Sequence, residues 1–403
     1  MVDFDLNDTQ KQIIASAREF GREVLYPAEI KLDKIADPNE TFESKLFWDV
    51  LGQAFELGFH KMALPEEFGG LGLDAQTTGM VWEEMARWAP GIAATLIPGG
   101  VVPQLISFLA RHRTDLIDKF VVPYCEDKTG KHITAWCSSE PQVGSDGSNY
   151  EDTAVRHQTT ATLVGDKIVI NGAKSDFVSN GGIAHDFIVF ACMNSEQGIK
   201  GSGTFLVPGD AKGVTTDKAL NKTGLRTLNQ AAVLMDETEI PQDYMIFPPG
   251  DGYPMLHNSI ITVGNLAVGY LAVGVMRAAY EHALQHSKER VQWGKPIFEH
   301  QLVAEKLFEC YQAIEAARAF LWKGSWLSKS SFPGDLKTSL AAKIFATNLA
   351  VKHTTEMVQV LGGYGISKEY PVEKYARDAM LLRIMDGTNE TLLIKAAAHL
   401  GEG

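Results

Sequence analysis

The segment RIMDGTNET, residues 383–391, places an acidic side chain, a glycine and a threonine just before the last predicted helix. Asp386 could serve as a general base, because an ionised carboxylate within hydrogen-bond reach of an acidic proton can accept it. The segment could instead form only a turn, since aspartate side chains commonly hydrogen-bond the backbone two residues further on. Taken alone, the segment favours the turn, so the choice depends on the rest of the sequence.

Two further segments combine hydroxyl groups, glycine and an aromatic ring near the ends of predicted strands. They are AWCSSEPQVGSD, residues 135–146, and KSDFVSNGG, residues 174–182. The hydroxyl groups can donate hydrogen bonds to a ligand, and the ring offers a flat apolar face on the same side of a strand as the hydroxyl two residues on. Each segment alone is more typical of a strand end followed by a turn. The side chains concerned are those of Ser138, Ser139, Ser145, Phe177 and Ser179.

Two later segments lie at predicted helix ends. In KERVQWGKPIFEHQ, residues 288–301, a helix stops before Gly294 and Pro296, and an arginine there can hold a pyrophosphate with a two-pronged hydrogen bond. In QVLGGYGISKEYPVEKYARD, residues 359–378, adjacent glycines allow close approach of a ligand to the backbone, although they could equally be a helix cap. The candidate residues are Arg290, Gln292, Trp293, His300, Gln301, Gln359, Gly362 and Gly363.

The spacing of apolar residues divides the chain into three parts. Apolar residues recur three and four positions apart up to about Leu109 and again after Tyr253, which predicts helices. Between these parts, segments such as TATLVGDKIVING and DFIVFACM are short, rich in β-branched and aromatic residues, and bounded by turn signals, which predicts strands. We therefore predict an α+β fold with a helical domain over residues 1–130, a β domain over 131–249 and a helical bundle over 250–403.

This order of elements excludes an alternating strand and helix architecture. No G-x-G-x-x-G follows a predicted strand, so a nicotinamide-binding site of that kind is unsupported. The apolar stretch over residues 259–276 is near the length of a membrane span, but it contains Asn265 and several glycines and is better explained as a buried helix.

Composition narrows the possible partners. The 403 residues include 37 basic and 50 acidic side chains, a net charge of -13, which gives no reason to expect nucleic acid or an anionic membrane as a partner. The four cysteines are scattered and show neither metal-ligand spacing nor a disulfide framework, so we expect no metal and a reducing cytoplasm. The N-terminal residues lack the pattern of a signal peptide, which also favours the cytoplasm.

Together, these segments resemble the acyl-CoA dehydrogenase family in sequence and in order. AWCSSEPQVGSD is similar to the family's flavin-contacting strand, FVSNGG to its W-I-T-N-G box, RVQWGKPIFEHQ to its arginine turn and QVLGGYG to its glycine box. PEEFGGLG and YPVEKYARDA also match family patterns. The resemblance spans about Phe4 to Leu400. It implies an N-terminal helical domain, a middle β-barrel-like domain and a C-terminal four-helix bundle, with FAD as cofactor, a homotetramer, and electron-transfer flavoprotein as electron acceptor.

The resemblance also implies a role for each candidate residue. Asp386 would be the catalytic base, and Ser145 and Gly387 would contact the acyl-CoA substrate. One set would line the flavin within the same subunit, namely Trp136, Ser138, Ser139, Phe177, Ser179, Thr388 and Glu390. A second set would hold the FAD of a neighbouring subunit, namely Arg290, Gln292, Trp293, Gln301, Gln359, Gly362 and Gly363.

The sequence departs from the family pattern at three positions, Asp386, Asn265 and Phe177, and Gly264 closes an alternative position for the base. Asp386 replaces the usual glutamate, which withdraws the carboxylate by about 1.5 Å, one carbon–carbon bond. Gly264 occupies the position where some relatives carry their base, and Asn265 stands where an arginine commonly helps to bind CoA. Phe177 replaces the usual tryptophan, which keeps the aromatic surface and loses an indole donor. Since no other acidic residue matches a base position, the resemblance favours Asp386 as the base.

We expect an FAD-dependent acyl-CoA dehydrogenase in which Asp386 removes the α-proton while the β-hydride passes to flavin N5. The shorter base leaves room for an α-branched or ring-bearing acyl group, so a short branched or alicyclic substrate of the cyclohexanecarboxyl type is expected. A nitroalkane-oxidase-like flavoprotein is an alternative, because those enzymes resemble this family and use aspartate as the base. A catalytically silent subunit that binds acyl-CoA or flavin is another.

Overall fold

The structure is a computed structural model that describes residues 5–329 and 334–401. Helices make up its N-terminal part, and π-helical turns at Gly21–Leu25 and Ile117–Val121 join α1 to α2 and α8 to α9. These helices are α1 (Asp8–Phe20), α2 (Tyr26–Asp33), α3 (Pro38–Glu43), α4 (Lys45–Glu56), α5 (Ala75–Trp88), α6 (Pro90–Gly99), α7 (Val101–Leu109), α8 (Thr114–Leu116) and α9 (Val122–Glu126).

Side-chain caps start several of these helices. At α1, the Asn7 side chain accepts a hydrogen bond from the backbone N–H of Gln10 at 2.9 Å, and the Gln10 side chain accepts one from Asn7 N–H at 3.1 Å. This reciprocal pair satisfies two of the donors that a helix start leaves free. At α5, Asp74 accepts from Thr77 N–H at 2.8 Å. The glycine-rich loop before α5 turns through Gly69, whose φ of +90° suits a residue without a side chain.

The middle part is an eight-stranded mixed sheet. Its path runs β6-β7-β3-β2-β4-β5-β8, and β1 pairs in parallel with β4 so that Trp136 lies opposite Ile188. All residues of β4 are buried, whereas β7 largely alternates between buried and exposed positions, as a strand with one solvated face does. The strands are β1 (Thr134–Cys137), β2 (Thr160–Val164), β3 (Lys167–Lys174), β4 (Asp186–Cys192), β5 (Ser202–Pro208), β6 (Val214–Thr216), β7 (Val233–Pro241) and β8 (Met245–Phe247).

Long helices form the C-terminal part. The 37-residue helix α10 packs against α5, α11, α12 and α13 and therefore runs through the centre of the molecule. A small antiparallel hairpin of β9 (Val291–Gln292) and β10 (Lys295–Pro296) follows it. The helices are α10 (Tyr253–Glu289), α11 (Gln301–Lys329), α12 (Leu336–Leu361), α13 (Val372–Leu382) and α14 (Asn389–Ala398).

Two helical stretches, Pro90–Leu109 and Tyr253–Glu289, have the length and composition that a membrane span needs. In each, 72% of the most apolar window is buried against other parts of the described chain. A core helix meets the same criteria, so these stretches are weak evidence for a membrane span. The prediction that residues 259–276 form a buried helix agrees with this packing.

A buried ionic junction joins the three parts. Lys374 on α13 donates to Glu29 on α2 at 2.7 Å and to Asp378 at 2.6 Å, and all three side chains are buried. Glu29 also accepts from the Thr227 hydroxyl at 2.6 Å, and Asp378 accepts from Leu225 N–H at 2.6 Å. Burial alone would lower the pKa of Lys374, but Asp378 and Glu29 raise it above its ordinary value. The segment YPVEKYARDA thus contributes Lys374 and Asp378 to this junction, where they form hydrogen bonds with residues of the two other parts.

We predict that Lys374→Met destabilises the protein by about 3–5 kcal/mol, because it leaves two buried carboxylates without a counter-charge. The measurement is the free energy of unfolding from urea denaturation. Lys45→Met is the matched control, since Lys45 is exposed in its pair with Asp49, and we expect a change of about 0.5 kcal/mol or less there. Equal losses in both variants would contradict the role assigned to the junction.

Candidate active site

Asp386 lies in the turn that joins α13 to α14. Its backbone adopts φ +54°, and Gly387 follows at φ +99°. The left-handed conformation is uncommon for a residue with a side chain and requires support from its surroundings. One support comes from the middle part of the chain, where the Ser145 hydroxyl oxygen accepts a hydrogen bond from Thr388 N–H at 3.0 Å. Two of the predicted segments, 135–146 and 383–391, therefore meet at this turn.

The Asp386 carboxyl group lies directly against Gly264 of α10. A β-carbon placed on Gly264 would be 2.5 Å from Asp386 Oδ2, closer than real contacts allow. Gly264 is therefore required for the carboxyl to lie where it does. The two positions at which the family resemblance places a base, 386 and 264, are thus adjacent in space.

Asn265, next to Gly264, holds the backbone of the base. Its Nδ2 donates to Ile261 O at 2.8 Å and to Asp386 O at 3.3 Å. Its Oδ1 is buried and has no hydrogen-bond partner within the described residues. Asn265 therefore anchors the turn rather than replacing the CoA-binding arginine that the family pattern has there.

The environment changes the acidity of Asp386. Burial raises its pKa above the ordinary value of 3.8, and the positive charge of Lys343 opposes this shift. Asp386 is nevertheless an exposed residue, so a substrate can reach it. An accessible carboxylate with a raised pKa is suited to accept a proton.

Lys343 is a site residue that the sequence reasoning missed. Its side chain on α12 is fully buried, and Nζ donates to Gly387 O at 2.9 Å, Asn389 Oδ1 at 2.9 Å and Arg383 O at 3.3 Å. Burial lowers the pKa of Lys343 to about 7, although Asp386 and Glu390 act in the opposite direction. A lysine preceded by two alanines and followed by isoleucine, within an apolar helix segment, was the signal that could have revealed it.

The two segments that carry the predicted flavin-lining residues of the middle part lie side by side. Ser175 N–H donates to Ser139 O at 3.0 Å, so the end of β1 lies beside the segment after β3. Trp136 is half-buried and packs against Phe190 at 4.8 Å between ring centroids, whereas Phe177 is 64% exposed. The expectation that Phe177 and Ser179 share a strand is wrong. Strand β3 ends at Lys174, and Asn180, with φ +65°, turns the chain after them.

A buried ion pair fixes these two segments. The Glu140 carboxylate accepts from Lys174 Nζ at 2.7 Å and from the backbone N–H groups of Gln158 at 2.5 Å and Thr159 at 3.1 Å. Both charged side chains have no accessible surface. Because both of its carboxylate oxygens accept hydrogen bonds from buried donors, Glu140 holds the first segment in place.

A polar cluster next to this wall was also missed from the sequence. The Tyr150 hydroxyl donates to Asn258 Oδ1 at 2.7 Å, so His257 Nδ1, at 2.8 Å, is the donor to the same hydroxyl oxygen. Burial lowers the pKa of His257 to about 3, which keeps it neutral. Lys395 of α14 lies 4.1 Å from the centre of the Tyr150 ring. The cluster ties the middle part to α10 and α14.

The second predicted set lies far from Asp386. Arg290 caps α10 26 residues after Gly264, and at 1.5 Å per residue the two are roughly 39 Å apart. Arg290 lies 5.7 Å from the Tyr364 ring, so the arginine turn and the glycine box do meet each other. All members of the set are exposed, and Trp293 is 95% exposed. They are Arg290, Gln292, Trp293, Gln301, Gln359, Gly362 and Gly363.

These positions fit an extended dinucleotide cofactor. Phe177 and half-buried Trp136 provide aromatic surface near the base, and Ser138, Ser139 and Ser179 add hydroxyl groups. At the distant set, a β-carbon on Gly362 or Gly363 would have no neighbour within 4 Å, so the backbone there is open to a ligand. The separation of roughly 39 Å between Gly264 and Arg290 along α10 is compatible with the expectation that the second set serves another subunit.

No group of three His, Cys, Asp or Glu side chains within residues 5–329 and 334–401 could hold a metal ion. The four cysteines are buried and free. A cavity of about 510 Å³ lies beside Phe55, Lys61, Phe68 and Cys125 in the N-terminal part. It contains none of the predicted site residues, and the chemical groups described above place the site at Asp386 instead.

Family models match nearly the whole chain. The acyl-CoA dehydrogenase N-terminal domain matches residues 7–111, the middle domain residues 135–238 and the C-terminal domain residues 250–401. The chain therefore belongs to the acyl-CoA dehydrogenase family, whose members are oxidoreductases acting on CH–CH groups. The predicted α+β fold with helical outer domains and a middle β domain is confirmed, the middle domain being a mixed sheet.

Individual relatives agree with this assignment. The short-chain specific acyl-CoA dehydrogenase of Megasphaera elsdenii is 31% identical over 99% of this chain and 100% of its own length. The cyclohexane-1-carbonyl-CoA dehydrogenase of Geobacter metallireducens is 31% identical over 96% of each chain. The solved structure of butyryl-CoA dehydrogenase from Megasphaera elsdenii has a TM-score of 0.88 and 30% identity, covering 99% of each chain.

We predict that Gly264→Ala lowers the rate of acyl-CoA oxidation by about 10–100-fold, because the new methyl group displaces the Asp386 carboxyl. Stability should stay within about 1 kcal/mol of the wild type, since the displaced atom ends a flexible side chain and alanine favours the helix. Turnover per FAD and thermal unfolding are the measurements.

The control for this variant is Gly269→Ala in the same helix, where a β-carbon would meet the Leu321 side chain in the core. That overpacking should cost about 1–3 kcal/mol of stability and leave the rate of the folded enzyme nearly unchanged. If Gly264→Ala turned over substrate as fast as the wild type, the contact would have no catalytic importance.

Proposed function

We propose that this protein is an FAD-dependent acyl-CoA dehydrogenase in which Asp386 removes the α-proton of a short branched or alicyclic acyl-CoA. The observation that carries the proposal is the Asp386 carboxyl itself, which lies against Gly264 in a residue that solvent can reach and has a raised pKa. Bound FAD would supply the acceptor for the β-hydride.

The chain supplies the proton acceptor and a donor for the charge that develops on the thioester oxygen. The carboxylate of Asp386 takes the α-proton by direct transfer. The backbone N–H of Asp386 makes no hydrogen bond within residues 5–329 and 334–401, so it is available to the developing enolate oxygen. Because this donor belongs to the backbone, it is kept when aspartate replaces the usual glutamate at this position.

One face of α10 presents apolar surface near the base. Met255, Ser259 and Val263 follow one another at four-residue spacing on this face, and Gly264, which contacts the carboxyl, comes directly after Val263 and lies about 100° further round the helix. Val263 is 60% exposed and Met255 is 46% exposed. A bulky acyl group would cover this surface, and the aspartate, one methylene shorter than glutamate, leaves it more room. The similarity to a cyclohexane-1-carbonyl-CoA dehydrogenase supports the same preference.

The remaining parts of the proposal concern cofactor and partners. Trp136, Ser138, Ser139, Phe177, Ser179, Thr388 and Glu390 would contact FAD from one subunit, and the set around Arg290 would contact it from another. A homotetramer in the cytoplasm, with electron-transfer flavoprotein as acceptor, completes the proposal. The separation of the two sets along α10 supports the need for a second subunit.

Anaerobic titration of the FAD-loaded enzyme with a panel of acyl-CoA esters tests the reaction. We expect cyclohexane-1-carbonyl-CoA and isobutyryl-CoA to bleach the flavin absorbance faster than butyryl-CoA or octanoyl-CoA. Asp386→Asn should lower the bleaching rate by about 10²–10⁴-fold while it retains FAD, because the amide cannot accept the proton.

Other outcomes would favour the alternatives. Oxygen-linked turnover of nitroethane, with no bleaching by any acyl-CoA, would indicate a nitroalkane oxidase. Tight binding of acyl-CoA esters without bleaching, unchanged in Asp386→Asn, would indicate a silent binding subunit. Faster bleaching by linear esters would contradict the branched or alicyclic preference alone.

The raised pKa of Asp386 predicts how the rate depends on pH. Only the ionised carboxylate accepts a proton, so the bleaching rate at saturating substrate should rise with pH, through a pKa above the ordinary value of 3.8. By the same shift, any stability contributed by Asp386 is present below its unfolded pKa and is lost as pH rises through the folded one. Stopped-flow reduction over a pH series measures the first effect. A rate independent of pH from about 4 to 8 would exclude Asp386 as the base.

A further inference from the structure

The ammonium group of Lys343 is fully bonded to the turn that carries Asp386. Its three N–H donors are matched by three acceptors, Arg383 O, Gly387 O and Asn389 Oδ1, at 2.9–3.3 Å. Two of these acceptors are backbone carbonyls on either side of Asp386. The side-chain amide of Asn389 also donates to Thr347 Oγ1 of α12 at 2.9 Å. This bond holds the third acceptor, Asn389 Oδ1, in place beside Lys343.

These hydrogen bonds restrain the backbone of the turn at Asp386, whose conformation is unfavourable without support from its surroundings. A non-glycine residue in the left-handed conformation is kept there only when its surroundings over-determine it. Asp386 has φ +54°, and Arg383 O also accepts from Asn389 N–H at 3.1 Å, which closes the turn. Lys343 therefore bonds to the turn both before and after the strained residue.

Lys343 also supplies the positive charge that acts on the Asp386 carboxyl. The charged groups that act on Lys343 are Asp386 and Glu390, which favour its ammonium form, and Arg383, which opposes it. The facing residues of α10, Gly264 and Asn265, carry no charge, and the middle domain contributes the Ser145 hydroxyl. The residues that face the turn from α10 and from the middle domain are therefore uncharged and do not supply the positive charge that Lys343 supplies.

We propose that Lys343 is a positioning residue for the catalytic base, holding the left-handed turn at Asp386 through its hydrogen bonds to the backbone carbonyl groups on either side of that residue. Lys343 does not touch the substrate in this role; it acts through Asp386. The proposal rests on the proposed function, since it assumes that Asp386 abstracts the α-proton.

The test compares Lys343→Met and Lys343→Gln with the wild type by anaerobic stopped-flow reduction of the FAD-loaded enzyme with cyclohexane-1-carbonyl-CoA and butyryl-CoA over a pH series. We expect reduction to slow by about 100-fold, because the carboxyl loses its fixed position. We also expect the acid limb of the pH profile to move up by about one pH unit, because an opposite charge is lost. FAD content and thermal unfolding confirm that each variant is folded.

Lys352→Met is the matched control, since Lys352 lies on the same helix but is exposed, 3.5 Å from Glu309. It should match the wild type in rate and in acid limb. If Lys343→Met is recovered only unfolded, Lys343→Gln, which keeps an N–H donor without the charge, is measured in its place. A wild-type rate, or a slower rate with an unmoved acid limb, would overturn the proposal.

Asp386→Asn in the same series separates this inference from the proposed function. If Asp386→Asn reduces the flavin as fast as the wild type, Asp386 is not the base and the proposed function fails. If Asp386→Asn is slow and the Lys343 variants behave like the wild type, only the positioning role fails.

Discussion

The left-handed backbone at Asp386 is the constraint on which the site depends. It directs the carboxyl onto α10 at Gly264, and any side chain at that position would collide with it. Three parts of the chain sustain the conformation: Asn265 on α10, Lys343 on α12 and Ser145 from the middle domain. Strain of this kind costs on the order of 1–3 kcal/mol and is characteristic of functional sites.

The rest of the fold keeps these three parts in register. Helix α10 carries Gly264 and Asn265 and contacts every other long helix of the C-terminal domain. A buried ionic junction of Lys374 with Glu29 and Asp378 joins the domains around it, and the buried pair of Glu140 and Lys174 fixes two segments within the middle domain. Both oxygens of each of these carboxylates accept a hydrogen bond, and such bonding is what makes buried charges tolerable. A shift of one domain would therefore disturb both the junction at Lys374 and the base.

Much of the architecture could be predicted from the sequence. The change from helical to strand periodicity, and back, located the middle domain, because hydrophobic spacing reports local structure directly. The motifs AWCSSEPQVGSD and RIMDGTNET indicated the site, and the structure brings them together through Ser145 and Thr388. The strand predicted for Phe177 and Ser179 from their two-residue spacing was wrong because β3 ends at Lys174, before either residue.

What could not be predicted depends on distant contacts. Asn265 and Asp386 are 121 residues apart, and Lys343 and Gly387 are 44 apart, so no local pattern links them. The left-handed φ of Asp386 could not be predicted from the sequence, because a glycine is the residue that usually indicates this conformation. In the sequence, Lys343 of α12 stands out only as a charged residue among apolar ones. The sequence does not indicate the groups with which it forms hydrogen bonds.

The central claim is that Asp386 abstracts an α-proton, and exchange of that proton with solvent tests it apart from hydride transfer. Phenylacetyl-CoA has hydrogens on the carbon next to the thioester and none on the following carbon, so it can lose a proton but no hydride. Incubated in D₂O with the FAD-loaded enzyme, it should gain deuterium at the α-carbon, as measured by mass spectrometry, and Asp386→Asn should abolish the gain. Equal deuterium incorporation by the wild type and Asp386→Asn would contradict the account.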